Sequence, residues 1–244
     1  MAEQGQRGAV RWRRLATESI VIGLGVFLGL AADAAWDARQ DGIREIDYLR
    51  LLDADLIATE RGLARVIEAQ AAAGRAASAA LNGINAIPQP PADSLARWLG
   101  GGFYAPRFEP TMGTVVGLMQ TGDIVLISDQ GLRTELLAYQ QEAQSFLNTG
   151  GSFLELRIRA IEDLGRMINV AALPTRTVLV SRVLPPPDFD SLGQVPAFLS
   201  AVSILATAVA NREQFLEALE ARVRQVREAL DRAMESQGLR FAAP

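Results

Sequence analysis

The chain has 244 residues, a formal net charge of −4, 49% apolar residues and 21% charged residues, which is enough apolar material for a core and gives no basic footprint for nucleic acid. It contains neither Cys nor His, and every basic side chain is Arg, which removes thiol nucleophiles, disulfides, imidazole bases, Schiff-base lysines, a P-loop phosphate site and nearly all zinc or copper sites. No dense Asp/Glu loop of the calcium type occurs either, so neither metal nor cofactor is expected.

The chain opens on a basic stretch, residues 1–14, and runs into ESIVIGLGVFLGLAADAAW, residues 18–36. The uncharged core from Ser19 to Ala32 covers only ~21 Å as a helix, short of the ~30 Å hydrocarbon layer. Length alone suits a signal peptide, with Ala32-Asp33-Ala34 as a cleavage pattern; a soluble core helix is the third reading. The flanks favour a retained anchor over residues 15–36. Trp12 and Trp36 lie ~36 Å apart along a helix, as an aromatic belt requires, and Arg11, Arg13 and Arg14 add basic interfacial anchors. Glu18 and Asp33 fall near the ends of the span, and Arg14 is one turn from Glu18. Arginines precede the span and Asp33, Asp37, Asp41, Glu45 and Asp47 follow it, so the positive-inside rule leaves the N-terminus in the cytoplasm. Glu18, Gly25, Gly29 and Asp33 share a stripe roughly 80° wide, and Gly25–Gly29 is a G-x-x-x-G, the spacing that lets two membrane helices approach closely. The alternative is that small residues are simply common in membrane helices.

Beyond the span, Arg39, Arg44 and Arg50 interleave with Asp41, Glu45 and Asp47 as a solvated helix face. Leu49, Leu52, Leu56, Thr59, Leu63, Val66, Gln70, Ala73, Ala77 and Ala80 form a seam at three- and four-residue steps, predicting a helix that stops near Asn82-Gly83. IPQPPAD (87–93) reads as a connection, and Asp93 or Ser94 is expected to cap a short helix ending before Gly100-Gly101-Gly102. FYAPRFEP (103–110) is irregular. A helix over 111–120, the break Thr121-Gly122-Asp123, the short apolar run 124–127 and a helix from an Asp129 N-cap to Phe146 come next. Gly150-Gly151 is expected to separate that helix from another ending near Leu173-Pro174, and residues 178–196 read as an extended linker. In the last helix, 197–237, Val202, Leu205, Val209, Leu216, Leu219, Val223, Val226 and Leu230 keep a/d spacing, broken only by Arg212. The uncharged stretch 191–210 could be a second span. Its Pro196, Gln194, serines and threonine suit a buried bundle helix better, because polar groups are costly in lipid.

Two segments carry a family resemblance. Glu18, the apolar run, Trp36-Asp37 and EIDYLRLLDADL (45–56), together with TGDIVLISDQGLRTELLAYQ (121–140), resemble a bacterial family of uncharacterised single-pass membrane proteins. Its pattern is an acidic residue before the span, Trp-Asn after it, an "EYLxxLxxDL" helix, and a later Ser/Thr-Gly-Asn/Asp turn leading into a Leu-Arg helix start. Thr121, Gly122, Asp123, Leu132 and Arg133 are the matching positions of the second motif. Asp37 replaces the commoner Asn, and Tyr139-Gln140 stands where a tyrosine pair is common. The resemblance covers about a quarter of the chain. It implies a retained anchor and no activity.

The catalytic inventory is thin. Glycoside hydrolysis needs only two carboxylates, so Glu109, Asp123 and Asp129, with Arg107 and Arg133 near them, leave a carboxylate-dependent hydrolase as the minority reading. Each has a plain structural role open to it, including an Asp129–Arg133 pair one turn apart. The expectation is an all-α chain: a cytoplasmic N-terminus (1–14), a transmembrane anchor (15–36) and an extracytoplasmic domain (37–244), an elongated helical bundle with long antiparallel coiled-coil-like helices. It is expected in the bacterial inner membrane with its bulk in the periplasm, as a non-enzymatic scaffold or interaction protein. The expected partners are the lipid bilayer and a second copy or another membrane or periplasmic protein, with no nucleic acid. The alternative is a membrane-linked sensory or ligand-binding module.

Overall fold

The computed structural model describes the backbone of residues 4–174 and 184–238, with side chains from residue 23 onward. The fold is all-α: α1 (Gln4–Ile84), α2 (Ala92–Gly102), α3 (Gly113–Thr121), α4 (Gln130–Met167), α5 (Phe189–Leu192) and α6 (Pro196–Ser236), with 3₁₀ turns at Asp123–Leu126 and Val170–Ala172. No strand occurs among the described residues. The chain divides after Arg50 into two compact units, and α1 contributes to both.

The first unit, residues 1–50, contains the opening part of α1, from Gln4 onward. Within it Leu24, Val26, Phe27, Leu28, Leu30 and Trp36 are exposed, and space is open around Gly25 and Gly29. Arg44–Asp41 (3.8 Å) and Arg50–Asp47 (3.1 Å) are exposed pairs one turn apart, on the solvated face that their spacing predicts, whereas Glu45, expected on the same face, is buried. Trp12, Arg11, Arg13, Arg14 and Glu18 lie outside the residues whose side chains are described. Among the described residues no helix is long and apolar enough to cross a membrane.

The second unit, residues 51–244, is built on three long helices. Arg227 of α6 pairs with Asp53 and Glu60 of α1, while Gln70 of α1 meets Val209 and Arg212 of α6. Residue numbers rise on one helix as they fall on the other, so α1 and α6 run antiparallel. Arg222 with Glu135, and Phe215 with Phe153, show the same for α6 and α4. Both seams read from the sequence are buried, from Leu52 to Ala80 on α1 and from Val202 to Leu230 on α6. Each fully buried Leu or Val contributes about 1.5–3 kcal/mol of transfer free energy. At one end Ile84, Leu95, Leu99, Leu164, Phe189, Phe198 and Leu205 form a common cluster. The stretch 191–210 supplies part of that core: Phe198, Ala201, Val202, Leu205, Ala208 and Val209 are all buried.

Three expectations need correction. Gly150-Gly151 does not split the chain; α4 runs unbroken from Gln130 to Met167. The physical reason is a seam at three- and four-residue steps, with Leu132, Leu136, Tyr139, Ala143, Phe146, Arg157, Ala160 and Leu164 buried along it. Tertiary burial on both sides outweighs the ~1 kcal/mol that each interior glycine costs. A methyl at either glycine meets nothing within 4 Å, so Gly150→Ala and Gly151→Ala should each raise stability by about 0.5–1 kcal/mol in urea unfolding. Second, α2 continues through Gly100-Gly101-Gly102, and neither Asp93 nor Ser94 caps it, because it starts at Ala92 behind Pro91. Third, residues 189–192 of the expected linker form a helical turn capped by Asp188 and held by buried Phe189 against Phe198; residues 175–183 lie outside the described residues.

The glycines of α2 are explained by what lies against them. A Cβ on Gly101 would stand 2.9 Å from the Ala76 methyl, and one on Gly102 would stand 3.1 Å from Ala77 Cβ. The small end of the α1 seam and the bare end of α2 thus permit a close helix–helix approach.

Candidate functional site

The C-terminus of α2 leads into the irregular segment 103–110, and this loop forms one side of a cleft. Its last helical carbonyls have no partner within the helix and carry the negative end of the dipole. Arg157, on the α4 seam and 4% exposed, supplies the partner: its Nη2 donates to the Gly102 carbonyl (2.7 Å) and to the Tyr104 carbonyl. Arg212, at the break in the α6 seam, donates to the Pro106 carbonyl and, at 3.0 Å, to Gln70 Oε1. Gln70 is fully buried and passes its own amide proton to the Val209 carbonyl at 2.8 Å. Two arginines therefore hold the end of α2 at one carbonyl and the loop at two.

These cations are held by neutral groups. Among the described residues no carboxylate lies within 4.0 Å of the guanidinium of Arg157 or Arg212, and Arg157 Nε finds no acceptor. Burial, and then the charge of Arg212, pull the Arg157 guanidinium down to about 10; burial lowers Arg212 as well.

On its other side the loop faces α1. Phe108 lies over Gly62, where an added Cβ would come within 2.8 Å of the ring, and meets Phe146 edge-on at 5.8 Å. Between this loop and α1 is a cleft of about 400 Å³, lined by Ala58, Val66, Ala69, Pro106 and Phe108 with Arg65, Arg107, Glu109 and Tyr104. Arg107 and Glu109 are exposed. Glu109 is the sole acid among the lining residues. Glycoside hydrolysis needs two carboxyl groups flanking the bond, and this cleft offers one. Among the described residues no group of three or more acidic side chains is placed to hold a metal.

The motif residues at 121–133 build a turn. Gly122, at φ 82°, ends α3 in the left-handed region that favours glycine. Thr121 Oγ1 donates to the Gly117 carbonyl (3.0 Å) and accepts the Asp123 N–H (3.3 Å). Asp129 caps α4 as the sequence predicts, its carboxylate accepting the Leu132 N–H at 2.7 Å, and Leu132 is fully buried. Asp129→Ala should cost about 1 kcal/mol, read as a lower urea midpoint. The Asp129–Arg133 ion pair allowed by spacing is not formed, since the cap holds the carboxylate on the backbone and Arg133 Nε is buried without an acceptor.

The two motif segments do meet indirectly. Asp55 accepts the Thr114 N–H at 2.9 Å, and Thr59 Oγ1 accepts the Thr111 N–H at 3.0 Å. Tyr139, buried, donates to the Thr111 carbonyl at 3.3 Å, and burial raises its phenol above the ordinary value. Asp53 goes instead to Arg227. Of the expected contact face, Gly25, Gly29 and Asp33 lie exposed on α1 and Glu18 lies outside the described side chains. Sequence reading missed Arg157 entirely; its signal was an arginine at a seam position of α4, the same signal that marked Arg212. Comparison with protein families, curated proteins and solved structures finds no match for this chain.

Proposed function

We propose that the chain is a membrane-anchored, non-enzymatic helical scaffold, held in the bacterial inner membrane by residues 15–36, with the bundle outside the cytoplasm. One observation carries the reading. Leu24, Val26, Phe27, Leu28 and Leu30 cover an arc of roughly 200° on one helix, beside the Gly25–Gly29 stripe, and are all exposed, an arrangement that in water leaves apolar surface with nothing to cover it. The absence of charge from Ser19 to Ala32 and the flanking tryptophans and arginines agree with lipid as the cover. The open surface at Gly25 and Gly29 supports association with a second copy. The use already made of the Asp129 carboxylate in the helix cap, and the single carboxylate of the cleft, support a role without catalysis.

Full-length protein should stay with the membranes after an alkaline carbonate wash and crosslink to itself. Replacing both Gly25 and Gly29 with Ile should abolish the crosslink. Release by carbonate would sink the anchor, and a crosslink that survives the double replacement would sink this helix face as the interface.

A second reading, a ligand-binding module tied to the membrane, is favoured by the cleft and by its Arg65 and Arg107, which among the described residues have no carboxylate within 4.0 Å.

A further inference from the structure

We infer that the contact face of α1 continues beyond the membrane, where Trp36 and Ile43 pack against the same residues of a second copy in a parallel pair of α1 helices. The inference rests on the self-associating anchor and extends its interface as far as Ile43. At 100° per residue Gly25, Gly29, Trp36 and Ile43 fall within a strip roughly 40° wide. Gly29, Trp36 and Ile43 are also spaced by seven, the repeat that keeps one seam of a helix against its neighbour.

The position of Ile43 selects the cover. It is 54% exposed and lies ~10 Å along the helix beyond Trp36, past the hydrocarbon that covers residues 24–30. The chain's own core is on the far side of the helix: Glu45 and Leu49 are buried, roughly 180–240° round from Trp36 and Ile43. A contact at Gly25 and Gly29 already holds two α1 helices side by side, so the residues that follow on that face meet at high effective concentration. The charges complement each other across such a pair. Asp33 and Arg39 flank the strip, roughly 60° to either side, and among the described residues neither has an opposite charge within 4.0 Å. They are too far round the helix to pair within one chain. In a parallel two-fold pair one edge of each helix faces the opposite edge of the other. Side chains lean toward the helix N-terminus, so Arg39 of one copy reaches back the ~9 Å toward Asp33 of the other.

The chain has no Cys, so single cysteines read this contact directly: a disulfide forms only where two Cα atoms come within about 7 Å. Trp36→Cys, Gln40→Cys and Ile43→Cys lie on or beside the strip, and Ala38→Cys and Asp41→Cys lie on the opposite side. All five positions are exposed, so none of these changes opens the core. In full-length protein oxidised mildly in its membranes, the first three should give disulfide-linked dimers at about ten times the yield of the other two. Adding Gly25→Ile and Gly29→Ile should bring the Ile43→Cys yield down to that background, because one face carries both contacts. Equal yields at all five positions overturn the inference, as does an Ile43→Cys yield that ignores the glycine replacements. Absence of dimers at 36 and 43 also overturns it, and leaves the anchor contact standing if the wild-type chain still crosslinks to itself. The same periodic disulfides in protein released by carbonate would remove the anchor and leave the helix pair standing.

Discussion

Arg157→Ala is expected to lower the unfolding free energy by about 3 kcal/mol, measured as a shift of the urea midpoint. Two effects compete. Burying a guanidinium without a carboxylate is costly, and the fall of its ionisation to about 10, from burial first and Arg212 second, records that cost. Against it stand charge-assisted bonds to the Gly102 and Tyr104 carbonyls, about 1.5–3 kcal/mol each. Removing Arg157 takes this donor from both carbonyls and opens a cavity on the α4 seam, so the loss outweighs the relief. Arg157→Met fills the volume without restoring the donors and should recover part of the stability. Amide exchange at residues 103–107 should rise in both variants, because the loop loses its hold. Wild-type stability in Arg157→Met would mean that the carbonyl bonds contribute nothing net.

Gly100→Ala is expected to lose about 2 kcal/mol, although alanine is the better helix former. A Cβ there would lie 2.4 Å from the Pro174 carbonyl oxygen and 3.0 Å from its carbon, and backbone cannot swing aside as a side-chain tip can. The overpacking cost, about 1–3 kcal/mol and near its upper end here, exceeds the ~1 kcal/mol gained in helix propensity. The same change at Gly150 should stabilise, since space is open there. Opposite signs for one substitution in two helices would establish that approach distance, and not helix propensity, sets the role of each glycine. A stable Gly100→Ala protein would contradict the close contact with Pro174.

Much of this architecture was legible because burial follows period. The α1 and α6 seams could be read residue by residue, including Thr59 and Gln70, whose polar groups find partners inside the bundle: Thr59 with the Thr111 amide, Gln70 with the Val209 carbonyl. The Asp129 cap and the Gly122 stop were equally plain, since each follows from local chemistry. What local chemistry hides is approach between distant segments. Gly150-Gly151 looks like a break until the seam is followed across it, and Gly100-Gly101-Gly102 looks like a helix end until Ala76, Ala77 and Pro174 are seen against it. The cleft was hidden for the same reason. Arg107 and Glu109 were visible as charged residues in an irregular loop, but Gly62 as the seat of Phe108 depends on contacts across more than forty positions. Arg157 carried a readable signal, an arginine on an apolar seam, and the expected helix break at Gly150 obscured that seam.

The most direct test of the membrane-anchored bundle is the location of its C-terminus. A dual periplasmic/cytoplasmic reporter fused after Pro244, expressed in a Gram-negative host, would be followed through membrane fractionation. The expected result is a periplasmic reporter in the membrane fraction, consistent with one retained anchor and a bundle outside the cytoplasm. A periplasmic reporter in the soluble fraction would show cleavage of the opening segment, and a cytoplasmic reporter in either fraction would contradict the proposed topology.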